Sequence, residues 1–163
     1  TIDLAELTPY PVWPDGIEVR AFRPGDERAF YEAQQETFAD SWEPTDEPFE
    51  EWAHWLLEGP SFDSGLWFLA LDGAETAGYA ICHPHWSDPE AAWVRLLGVR
   101  RPWRRRGLGR ALLLHAFAEF RGRGFRRAGL GVDAESLTGA HKLYESAGMH
   151  VAARFDIYER ALS

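Results

Sequence analysis

From Gly16 to Phe22 apolar and polar side chains alternate, the period of a half-buried strand. After Pro24-Gly25-Asp26 the period lengthens, and Phe30, Ala33 and Phe38 recur at helical spacing to about residue 39. Pro44 and Pro48, neither suited to a helix interior, bracket a turn. A second helical pattern over residues 48–58 sets Phe49, Trp52 and Leu56 on one side. Apolar runs at 66–71 and 77–82, joined through Asp72-Gly73, predict two paired strands. A third run, 93–99, passes through a basic turn into a helix from Gly107 to about Phe120. Residues 125–132 predict a further strand, 137–147 a helix closed by Gly148, and 149–162 a hairpin. Residues 1–14 hold three prolines and little periodicity, so 1–15 read as an arm or linker ahead of one domain over 16–163. The order β-α-α-β-β-β-α-β-α-β-β implies an α/β (α+β) domain with enough chain for a real core.

The basic turn carries the chemistry. It reads Val99-Arg100-Arg101-Pro102-Trp103-Arg104-Arg105-Arg106-Gly107-Leu108-Gly109-Arg110. A strand followed by a glycine-bearing turn and a helix N-terminus is an anion cradle. Unpaired N–H groups of the first helical turn face the ligand, and the helix dipole adds to their pull. A P-loop would need Lys-Ser/Thr after the second glycine, where Arg110-Ala111 stands. The dinucleotide fingerprint would need a small residue at Leu112. The turn therefore predicts a phosphorylated cofactor held by another kind of loop; the alternative is a solvated basic turn.

Arg104, Gly107 and Gly109 form Arg-x-x-Gly-x-Gly, which resembles the pyrophosphate loop of the GNAT superfamily of N-acetyltransferases. Downstream, Ala140-His141-Lys142-Leu143-Tyr144-Glu145-Ser146-Ala147-Gly148-Met149 resembles the Ala-x-x-Leu-Tyr-Glu-x-x-Gly-Phe signature of that superfamily, in the same order and at similar separation. The resemblance implies a mixed, mostly antiparallel sheet of about seven strands with about four helices, splayed between strands ending at Val99 and Asp133. It implies acetyl-CoA as cosubstrate, with Leu97, Gly98 and Val99 along the pantetheine arm. Arg104, Arg105, Arg106, Gly107, Leu108, Gly109 and Arg110 then hold its phosphates. Ser136 stands where members commonly carry asparagine, and serves as cofactor contact or as helix N-cap. Tyr144 is implied as the acid for the departing thiolate, a role that suits a phenol of pKa about 10. The Leu97 N–H is the natural oxyanion donor. Gly98 fits close approach of a ligand, and also a β-bulge, two readings that can coexist.

The implied activity is acetyl (acyl) transfer to a primary amine of a small molecule or aminoacyl compound, by direct attack in a ternary complex. The alternative is a degenerate domain that binds acyl-CoA without turnover. Some members carry a glutamate six residues before the position of Val99; here it is Trp93, and Arg95 is the ionisable residue on that strand. Glu90, Asp133, Glu135, His83 and His85 stay open as proton acceptors. His83-Pro84-His85 lacks a third ligand at sensible spacing, so no metal is expected.

Charge sharpens the picture. The chain carries −9, divided unevenly: residues 1–90 hold 20 of the 26 acids and three bases, net −17, while residues 91–163 carry 14 bases and six acids, net +8. The basic half contains the cofactor loop. The acidic half gathers Asp40, Glu43, Asp46, Glu47, Glu50 and Glu51, either as a solvated helical surface or as a mouth that steers a cationic amine. Nucleic acid is not expected as a partner, since the net charge is acidic and no binding motif is present. Cys82, the single cysteine, sits in an apolar run and reads as core, which fits a reducing compartment. No apolar stretch reaches membrane-span length and no signal peptide is visible, so a cytoplasmic location is expected. Trp13-Pro14-Asp15-Gly16 resembles the junction between halves of tandem GNAT proteins related to mycothiol synthase. A second GNAT domain or a homodimer is thereby an expected partner. The acceptor surface is implied at residues 30–58 and 150–158.

Overall fold

A computed structural model describes residues 2–4, 10–39 and 47–130. In chain order the elements are β1 (Ile2–Asp3), β2 (Ile17–Ala21), α1 (Glu27–Ala39), α2 (Phe49–Leu57), β3 (Trp67–Asp72), β4 (Glu75–Pro84), β5 (Ala91–Val99), α3 (Leu108–Gly122) and β6 (Arg127–Leu130). The strands form one mixed sheet in the order β1-β6-β5-β4-β3-β2. All neighbours are antiparallel except β5 and β6, whose parallel pairing needs the long crossover that α3 supplies. This is the mixed, mostly antiparallel α/β class expected. The described residues contain six strands and three helices; the helix over 137–147 and the hairpin over 149–162 lie outside them.

Both faces of the sheet are covered, which explains why the strands read as apolar runs rather than clean alternations. On β4 the pleat sends Ala80 and Cys82 to one face and Tyr79 and Ile81 to the other. The first face packs against α3 through Leu112, Leu113, Phe117 and Phe120. Cys82 is wholly buried there, and burial pushes its thiol far above its ordinary range, so it is core. The second face packs against α1 and α2, where Trp67 meets the edges of Phe22, Phe30, Trp52 and Phe62 at 5.1–6.1 Å. Asp26 fixes the entry to α1: its carbonyl accepts from Phe30 N–H, and its carboxylate accepts from Arg23 N–H at 2.7 Å and from Arg20 on β2 at 2.9 Å.

The segment expected as an arm contributes more than a linker. Ile2 and Asp3 pair with Ala128 and Arg127 of β6, Leu4 N–H donates to Arg126 O at 2.8 Å, and the Leu4 side chain is buried. A two-residue strand has no periodicity to detect, and only the partner strand makes it one.

Candidate cofactor and acceptor site

The register of β4 and β5 shifts once. Ile81 pairs with Leu96 and Cys82 with Val94, which leaves Arg95 as the extra residue of a β-bulge. On its other side β5 pairs with β6 from Ala91 to Val94, and residues 95–99 have no partner there among the described residues. Arg100 N–H donates to Ala77 O at 2.9 Å, toward the β4 side. Because the backbone groups of an antiparallel strand alternate between its two edges, those of Leu97 and Val99 face the opposite, open edge. Arg104 Nε takes the Val99 carbonyl at 2.9 Å, and the Leu97 N–H remains turned toward the gap.

Gly98 has a reason that its sequence position does not show. A Cβ there would lie 2.6 Å from Tyr79 Cε1 and 2.7 Å from its hydroxyl oxygen. The glycine makes room for the buried Tyr79 ring, whose hydroxyl pairs with Thr37 Oγ1 of α1 at 2.8 Å. The bulge considered for Gly98 falls at Arg95 instead, because only the partner register determines where an extra residue is accommodated.

Beyond β5 the chain makes a short 3-10 turn, Arg101–Trp103, that locks the loop to the sheet. Trp103 is buried and donates from Nε1 to Asp72 at 2.9 Å. Arg100 reaches back to Glu36 of α1 at 2.9 Å and to the Thr76 carbonyl at 2.9 Å. Arg100 is thus absorbed by the fold, while Arg105 and Arg106 are exposed. Arg105 has φ +65° and Gly107 φ +80°, the left-handed bend that turns the chain into α3. No side chain caps α3, so its first-turn N–H groups face outward with those arginines around them. Buried Leu108 pins that turn to the core, with Gly109 and Arg110 half-buried beside it. The predicted loop residues, Arg104 to Arg110, therefore converge at one helix N-terminus. Ser136 and Tyr144 lie outside the described residues, as do Asp133 and Glu135.

On the α1–α2 face a cleft of about 510 Å³ opens beside the bulge. Gln34, Phe38, Glu47, Trp55, Arg95 and Leu96 are among its walls. The sequence places the acceptor surface on these helices; it gives no sign of Gln34, a polar residue on a helix's inner face. Gln34 Oε1 accepts from Trp52 Nε1 at 2.6 Å, which leaves the amide NH₂ free to face elsewhere.

Trp93, in the place of the glutamate found in some members, fills space: a Cβ at Gly129 would run into its ring, and His85 packs against it at 5.5 Å. His83 pairs with Trp93 across the strands. Its Nδ1 donates to the Pro84 carbonyl at 2.7 Å, so Nε2 carries the lone pair. Burial, aided by Arg95 and His85, holds the His83 pKa below its ordinary value. Glu90 lies beside Arg126 and Arg127, with ion-pair distances of 3.7 and 3.5 Å.

An open strand edge, a basic helix N-terminus and an adjoining cleft are the features that the resemblance to GNAT acetyltransferases implies. The Acetyltransferase (GNAT) family matches residues 27–149, and the chain belongs to that family. Among its relatives, the mycothiol acetyltransferase of Thermobispora bispora is 35% identical over 157 residues, covering 86% of this chain and 48% of that protein. The chain thus spans about half the length of the mycothiol acetyltransferases it matches. The crystal structure of a GCN5-related N-acetyltransferase from Sphaerobacter thermophilus is similar at a TM-score of 0.74 and 41% identity, over 91% of this chain and 46% of that one. An aminoglycoside acetyltransferase, AAC(6')-Iy, in complex with a CoA bisubstrate analogue shares the fold at a TM-score of 0.68 and 14% identity, over 90% and 99%.

Proposed function

We propose that the domain transfers an acetyl group from acetyl-CoA to a primary amine of a small molecule or aminoacyl compound, by direct attack in a ternary complex. The observation that carries this reading is the juxtaposition of the open β5 edge, the uncapped N-terminus of α3 and the cleft beside the bulge. The donor set suits CoA: backbone groups of Leu97 and Val99 offer an extended arm a strand to pair with, and Arg104 to Arg110 offer its phosphates cations and first-turn N–H groups. When bound, acetyl-CoA supplies the thioester carbon that the amine attacks. The Leu97 N–H is the proposed donor to the oxygen on which charge develops. Tyr144 is the proposed donor to the departing sulfur, and Ser136 a proposed contact or cap. Holding both reactants in one cleft supplies much of the acceleration. The doubled length of the relatives makes a second GNAT domain the proposed partner, and the cytoplasm is the proposed location.

Calorimetric titration with acetyl-CoA, followed by thiol release against a panel of amines, tests this. Binding with turnover supports the transferase, whereas binding without turnover on any amine points to the degenerate domain. Gly109→Trp is expected to abolish acetyl-CoA binding by blocking backbone approach; unchanged affinity sinks the site. Ser136→Asn is expected to tighten CoA binding, or to leave it unchanged if the residue is only a cap.

A further inference from the structure

We propose that Arg95 binds a carboxylate on the acceptor, so that the cleft takes an α-amino acid rather than a simple amine. This rests on the acetyltransferase reading and names the substrate class of that cleft. Arg95 is the extra residue of the bulge, a feature that re-aims a side chain, and it stands in the cleft wall beside Leu96. Several guanidinium groups of the described residues are engaged in ion pairs, Arg20 with Asp26, Arg100 with Glu36, Arg123 with Asp63 and Arg127 with Asp88, whereas Arg95 is exposed in the cleft wall. Arg105, Arg106 and Arg110 belong to the cofactor loop. Arg95 makes no hydrogen bond or ion pair with the described residues, although Glu47 lines the same cleft.

Position turns an unpaired cation into a selector. Arg95 lies two residues upstream of Leu97 on the same strand. A carboxylate held in the guanidinium fork leaves an amine on the neighbouring carbon within reach of a thioester beside Leu97. Gln34 adds a neutral donor to the cleft. A phosphate fits less well, because one guanidinium faces it, Glu47 opposes it, and the nearby His83 is held neutral rather than adding a second positive charge. A polyamine would bring an ammonium against Arg95.

The test uses the full chain, with and without CoA, titrated calorimetrically with the proteinogenic L-amino acids, their α-carboxamides, the corresponding decarboxylated amines and phosphoethanolamine. At least one amino acid is expected to bind about tenfold more tightly than its carboxamide or amine. Arg95→Leu is expected to erase that ratio, Arg95→Lys to restore part of it, and both to leave CoA affinity unchanged. Equal or tighter binding of the carboxamides or amines, tighter binding of phosphoethanolamine, no binding of any probe, or a ratio unmoved in Arg95→Leu overturns the proposal. Failure of acetyl-CoA to bind refutes the transferase reading separately, because the Arg95 ratio is also measured without CoA.

Discussion

At the scale of single residues, the site's glycines answer to neighbours that a sequence does not show. Gly98 gives way to the Tyr79 ring and Gly129 to Trp93. Tyr79 is fully buried and tethered to Thr37, so it cannot swing aside to admit a methyl group. Gly98→Ala is therefore expected to cost about 1–3 kcal/mol in denaturant unfolding, the range for overpacking a core. Adding Tyr79→Leu should make the double variant less costly than the two single losses summed, because the truncated side chain no longer occupies the methyl position. Full additivity would show that the ring does not dictate the glycine. Gly107 is the opposite case, with open space around a Cβ but a φ of +80°. Gly107→Ala is expected to cost about 1 kcal/mol of stability through backbone strain alone, and to weaken acetyl-CoA binding by tilting the first turn of α3; calorimetry and unfolding read the two effects separately.

At the scale of elements, legibility followed periodicity. α1, α2 and α3 begin and end within about two residues of the boundaries their apolar spacing predicts, and β3, β4 and β5 lie where unbroken apolar runs place them. The basic turn into α3 was legible for another reason: Arg104, Gly107 and Gly109 mark a strand-to-helix turn locally, with no distant partner needed to define it. What escaped was nonlocal. The bulge at Arg95 exists only in the register with β4, Gln34 matters only because Trp52 fixes its amide, and β1 is a strand only beside β6. That last element can be tested on its own. Leu4 sits buried against the α3 face of the sheet, and Leu4→Ala is expected to lower stability by about 2–4 kcal/mol, the cost of a core cavity. A loss below a few tenths of a kcal/mol would return the segment to the status of an arm.

At the scale of the molecule, two half-buried histidines and the buried Asp26 tie the fold to pH in one direction. His115 lies between the Trp13 and Phe68 rings, and burial lowers its pKa against a smaller opposing pull from Glu119. His83 is lowered by burial, with Arg95 and His85 adding to it. Both are held neutral, so below pH 6.5 the unfolded chain binds more protons than the folded one. Their contribution is whole above that value and is lost as pH falls through the folded pKa values. Asp26 is lowered from 3.8, first by its hydrogen bond from Arg20, with Arg23 N–H assisting against desolvation. Its contribution is likewise present above the unfolded value and disappears on further acidification. Urea midpoints should therefore decline in two stages, beginning below about pH 6.5 and again below about pH 4. His115→Gln is expected to flatten the first stage, and Asp26→Asn to remove the second while lowering stability at neutral pH, since it unlocks β2 from α1. Sensitivity confined to the second stage would mean that the two histidines are hydrated and carry no penalty for charging.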